Sequence, residues 1–247
     1  MTLPRLLILL AVLVLVVAAG AGYWYLTPPA PDPAFAGTYA PTINPSEFSP
    51  NITNRFVTMV PGMKLTYESK GEEGLEVIEI SVTAETRMIM GVETRKVLDR
   101  ATVNSVLVED TRDYIAQDKA GNVWYFGEEV DNYKDGKINN HNGSWIAGVD
   151  GALPGIWMLA NPKVGDKYRQ EYYKGQAEDV ARVVSTSETL TVRGKTYKDC
   201  LKTLDTSLIE TSLREEKYYC AEVGAQGLVV DPAEHVRDEL VSITGRP

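Results

Sequence analysis

From residue 64 onward the chain is a succession of short apolar alternations broken by turn residues, with no interval long enough for the crossover helices of a parallel sheet. A doubly wound fold is thereby excluded. The pattern predicts a mainly β fold, an antiparallel meander forming a curved sheet, open barrel or sandwich. Strand-like runs fall at 64–68, 75–82, 87–90, 94–98, 103–109, 111–117, 123–128, 167–173, 181–185, 189–192, 200–204, 216–220 and 228–230. In 75–82, Leu75, Val77 and Ser81 alternate with Glu76, Ile78, Ile80 and Val82, so neither face is purely polar.

The most legible stretch is 113–133, where two aromatic-rich runs meet across a polar turn from Asp118 to Asn122. Asp113, Asp118, Glu128, Glu129 and Asp131 crowd this hairpin. Such carboxylates either solvate a surface hairpin or hold a hard cation, and calcium on Asp118, Asn122 and Glu128 is the metal reading. The spacing is not that of a helix-loop-helix calcium loop, and a plain turn accounts for it equally well.

The chain has 247 residues and a net charge of -9, which argues against nucleic acid and anionic lipid as nonspecific partners. Two histidines, His141 and His235, leave little from which to build a zinc site or a histidine-based catalytic pair.

Residues 6–22 form an unbroken run of apolar or small residues, followed by Tyr23, Trp24 and Tyr25. Its length and the aromatic belt predict an N-terminal transmembrane helix over 1–26, although the small residues 18–22 also suit a signal peptidase. Arg5 places the short N-terminal end in the cytoplasm. The expected location is the cell membrane, single-pass, with the C-terminal domain outside the cytoplasm. Residues 27–51 are proline-rich and read as a polyproline-like stalk, or as a loop lying along the domain with Phe35, Tyr39 and Phe48 in pockets. Residues 52–247 form the extracytoplasmic β-rich domain. Within it, 143–162 is expected to be a long ordered loop, and 233–243 a short helix or a last strand.

Cys200 and Cys220 lie in two runs that a hairpin turning near residue 210 sets side by side. Outside the cytoplasm they are expected to form a disulfide, the alternative being two buried thiols. The triplets starting at Asn51 and Asn142 match the glycosylation pattern and mark surface loops.

No nucleophile with its base, and no phosphate-cradling glycine loop, stands as a motif. Glu128 and Glu171 on neighbouring strands are candidates for a glycosidase-like acid and base, while Trp124, Trp145 and their neighbouring tyrosines suit a pocket wall. The candidate ligand-binding set is Trp124, Glu128, Trp145, Asp150, Arg169 and Glu171.

The segments YIAQDKAGNVWYFGE (114–128), GSW (143–145), GVDGALPG (148–155) and VGDKYRQEY (164–172) resemble a family of uncharacterised prokaryotic exported proteins, often predicted lipoproteins. The resemblance covers 52–231 and implies export and a single β-rich domain. It brings no activity, cofactor or catalytic residue, and this chain lacks the cysteine that lipid attachment needs. The functional expectation is a membrane-tethered domain that binds an envelope ligand or partner. An extracytoplasmic carboxylate-dependent hydrolase and a purely structural envelope domain are the alternatives.

Overall fold

The computed structural model describes residues 32–71, 73–231 and 236–246. The apolar run and the membrane helix expected there lie outside these residues, as does His235. Among the described residues, no helix is long and apolar enough to cross a membrane.

The described chain begins with two single 3-10 turns, Pro33–Phe35 and Pro45–Glu47, and three short strands, β1 (Phe48–Ser49), β2 (Ile52–Thr53) and β3 (Thr58–Met59). A meander follows: β4 (Lys64–Gly71), β5 (Gly74–Ile89), β6 (Val92–Val103), β7 (Val106–Asp118) and β8 (Val123–Lys134). After β9 (Lys137–Asn140), β10 (Trp145–Ile146) and β11 (Leu153–Met158) come β12 (Lys167–Arg169) and β13 (Glu171–Tyr172). A second meander ends the chain: β14 (Asp179–Val192), β15 (Lys195–Ser207), β16 (Arg214–Cys220), β17 (Ala225–Asp231) and β18 (Val236–Thr244). The apolar and glycine-rich stretch expected as one loop thus contributes two strands, β10 and β11, and the C-terminal segment resolves as strand.

The sheet order is β12-β14-β15-β16-β17-β18-β4-β5-β6-β7-β8-β11-β13, each neighbouring pair antiparallel. Its two outer members, β12 and β13, are consecutive in the chain, joined by Gln170 alone. One short segment therefore pairs with β14 on one side and β11 on the other, and the sheet curls into a barrel. A bulge in β8 at Phe126 beside Gly127, and others in the long strands, supply the curvature. At the seam the Gln170 amide donates to the Asp179 carbonyl at 2.8 Å. Gly155 lies so close that a Cβ on it would stand 2.2 Å from the Gln170 carbonyl oxygen.

Closure gives every strand an inner and an outer face, and the alternation follows it: Leu65, Tyr67 and Ser69 on β4 are buried, as are Glu76, Ile78, Ile80 and Val82 on β5. One end of the barrel is plugged by 52–63, where Ile52, Phe56, Val57, Met59 and Met63 are buried. This floor is fixed by polar bonds at its edge. The Thr58 amide donates to the Gly224 carbonyl at 2.7 Å, and Asn54 Nδ2 donates to the carbonyls of Gly121 and Leu159 at 2.9 and 3.1 Å.

Residues 32–50 lie along the barrel wall rather than standing free as a stalk. Asp32 pairs with Lys167, the Phe35 carbonyl accepts from Arg169 Nη2 at 2.9 Å, and the Tyr39 hydroxyl donates to the Pro154 carbonyl at 2.9 Å. Phe48 packs edge-on against Trp124 and Phe126 while its strand pairs with the end of β7. Apolar contact and carbonyl acceptors on the wall outweigh the extended preference of the prolines.

Cys200 and Cys220 are joined as a disulfide between β15 and β16, with Cα atoms 4.2 Å apart. Asn51 and Asn142 are exposed.

Two outcomes are expected. Gly155→Ala forces the seam apart and should cost about 2–3 kcal/mol, a fall of roughly 5–10 °C in the midpoint of a circular-dichroism melt. Replacing both cysteines by alanine removes a crosslink spanning 20 positions and should cost roughly 3 kcal/mol, measured by urea unfolding.

Candidate functional site

The end of the barrel opposite the plug is polar inside, and its polarity is acidic. Nine carboxyl residues are buried among the described residues, namely Glu76, Glu109, Asp113, Glu128, Glu171, Asp205, Glu215, Asp231 and Asp238, against three buried cations, Arg95, Arg169 and Lys217. Two of those cations are directed elsewhere. Arg95 donates to the Pro50 and Ala84 carbonyls, and Arg169 lies over the rings of Phe35, Tyr39 and Tyr172 with Glu178 3.6 Å away. Lys217 therefore carries most of the compensation, pairing with Asp205 at 3.2 Å and Glu215 at 3.1 Å.

Strand register explains the crowding. Asp113 stands opposite Glu128 across β7 and β8, and Asp205 opposite Glu215 across β15 and β16, all on the inner face. Like charges in such positions repel. The Tyr125 hydroxyl donates to Asp113 Oδ1 at 2.7 Å. That hydroxyl has one proton to give and is shared between Asp113 and the nearby Glu128, whose oxygens have no hydrogen bond of their own; nor do the oxygens of Glu171. The two glutamates are fully buried. Nearer the rim exposure rises slightly, to 5% at Glu76 and Glu109 and 8% at Glu215.

Burial dominates the proton affinities. It pushes Glu76 and Glu109 up to about 8 and Asp113 to about 7, with neighbouring carboxylates adding to the first two. Asp179 and Asp238 rise to about 6, again mainly through burial. Glu128 is held well above its ordinary value by burial and then by Glu171 and Asp113, and Glu171 by burial and then by Asp179. Burial alone would lower the Lys217 ammonium, but Glu215 and Asp205 hold it well above its usual range. Between the plug and this acidic zone lies a cavity of about 30 Å³, bordered by Tyr67, Asp99, Trp157, Lys217 and Tyr219. That is room for one or two water molecules.

The residues singled out by sequence divide into three groups. Glu128 and Glu171 come together inside the barrel, with Trp145 opposite Glu128 on β10 and packed edge-on against Tyr125. Trp124 and Arg169 belong to the wall, where they hold the 32–50 segment. Asp150 sits exposed on a turn at φ +48°, apart from the other two acids.

The calcium reading on Asp118, Asn122 and Glu128 does not match the geometry. Asp118 already accepts from the Asn122 amide, Asn122 Nδ2 and Trp124 Nε1 at 2.8–2.9 Å. Glu128 lies five residues up β8 from the turn, about 17 Å away. Among the described residues, no group of three or more His, Cys, Asp or Glu is disposed to hold a metal ion.

Glu76, Glu109, Asp205, Glu215, Lys217 and Asp238 were not singled out. Their signal was phase: each stands two positions from a buried neighbour on its own strand, as Glu76 does from Ile78.

Each raised carboxyl holds its proton more tightly in the folded chain than in the unfolded one. Its contribution is therefore fully present below the ordinary carboxylate range near pH 4 and is lost as pH rises through about 6 to 8. Thermal melts should accordingly show a midpoint at least about 5 °C higher at pH 5 than at pH 8, a difference that a flat profile would contradict.

The sequence matches no family model. No curated protein matches it either. Among solved structures, a putative lipoprotein from Parabacteroides distasonis aligns with a TM-score of 0.40 at 13% identity, over 76% of this chain and 98% of that one.

Proposed function

We propose that this chain is a membrane-tethered, extracytoplasmic binding domain that takes a small organic cation into the acidic end of its barrel. The observation that carries the reading is the pair Glu128 and Glu171, fully buried with all four carboxyl oxygens unpartnered. Leaving buried polar atoms unsatisfied costs stability, and such groups concentrate where a ligand or a reaction needs them. An ammonium or guanidinium group would donate to these oxygens and neutralise the excess negative charge.

Export rests on the apolar run at 6–22 with Arg5 before it, on the Cys200–Cys220 disulfide, which persists in oxidising compartments, and on the motif resemblance. A carboxylate-dependent hydrolase is the second reading, favoured by the influence of Glu171 on the proton affinity of Glu128. Like cation binding, it requires the barrel end to open, because the pair lies wholly inside the wall and the cavity beside it holds only one or two waters.

Full-length protein in detergent at pH 8, melted with and without millimolar spermidine, tests the binding reading. A ligand at a hundred times its dissociation constant adds about 2.7 kcal/mol, or roughly 5–10 °C. The Glu128→Gln, Glu171→Gln double variant should melt higher than the parent without ligand, because repulsion is relieved, and should lose the spermidine shift. A shift that survives in the double variant would assign binding to the acidic outer surface and sink the proposal. Calcium chloride in a parallel melt separates a metal ion from an organic cation.

A further inference from the structure

We infer that the wall around Val164, with Lys163, Lys167 and Arg182, is the face this barrel presents to the membrane surface. The inference rests on the tethered reading above and adds an orientation to it.

Three observations converge on this wall. First, the described chain enters the fold at Asp32, which is ion-paired to Lys167. Between the aromatic belt ending at Tyr25 and Asp32 there are only six residues, three of them proline, so the seven Cα steps of the tether span at most about 25 Å.

Second, the far end of the barrel is out of reach of such a tether. The register of β11 with β13, carried on, sets Lys167 level with Met158, which pairs with Val123, itself opposite Gln117 on β7. Val106 begins β7 eleven residues from Gln117, about 36 Å along the strand.

Third, the surface at the entry point suits a headgroup layer. Val164 is 64% exposed beside a shallow groove bordered by Lys167 and Arg182, and Lys163 and Arg182 are exposed too. Asp32 and Asp166 offset part of this charge, yet in a chain of net charge -9 a local excess of cations at the tether is where a bilayer can approach without repulsion.

The full chain in nanodiscs of phosphatidylcholine and phosphatidylglycerol, carrying a nitroxide on the lipid headgroups, tests this orientation. Val164→Cys and Val106→Cys, both at exposed positions, are each labelled with a fluorophore. Quenching by more than half at 164 and by less than a tenth at 106 is expected. Equal quenching at both, or stronger quenching at 106, overturns the assigned face while leaving the tether standing. Failure of the unlabelled chain to enter the discs removes the tether itself, and this face with it.

Discussion

Closure of the sheet through residues 167–172 is the constraint on which the remaining structure depends. A segment of six residues serves two neighbours at once, and Gln170 is its pivot: its amide bonds Asp179 while its side-chain Nε2 donates to Asp205 Oδ2 at 3.1 Å. Once the seam is shut, every inner position is committed to the interior, because a register slip that moved one acid outward would turn the apolar residues of the same strand to solvent. The seam therefore fixes where the carboxyls go.

Two physical tendencies compete inside that barrel. Desolvation penalises each buried carboxylate, and mutual repulsion adds to the penalty where Asp113 faces Glu128 and Asp205 faces Glu215. Against this stand the ion pairs of Lys217, the hydroxyl of Tyr125 and proton uptake. The apolar plug at the other end, with Phe56, Met63 and the surrounding Leu65, Val97 and Leu201 almost wholly buried, supplies the stability that lets the acidic end persist. A chain selected for stability alone would carry amides or aliphatics at these inner positions, and their acidity is the mark of a requirement other than folding.

Much of the architecture was legible in residue order. The meander, the turn at Asp118 to Asn122 and the cysteine pair across a hairpin follow from local alternation and turn chemistry, and all three are present. The seam was not legible, because nothing local distinguishes Tyr168 to Tyr172 from an ordinary strand, and its two pairings are set by partners more than ten positions away on either side. Arg169 shows the same limit from the other direction. A lone arginine between tyrosines suited a binding pocket, whereas the fold spends it on Phe35 and Tyr39 of the proline-rich segment. Glu76 was readable in principle: it lay in phase with Ile78, Ile80 and Val82, and an acid on an apolar face can only be buried or misread.

The pairing of β4 with β18 ties strands at opposite ends of the domain, with Thr244 opposite Lys64, 180 positions apart. Contacts of such sequence separation form slowly, since the entropy of closing the intervening loop is lost before any pairing is gained. A chain emerging N-terminus first thus holds β4 to β8 as an open ribbon, with acids and apolar residues together on one uncovered face, until β18 arrives. For this barrel, the interval between emergence and completion is the period of greatest exposure to proteases and to chaperones that bind uncovered strands.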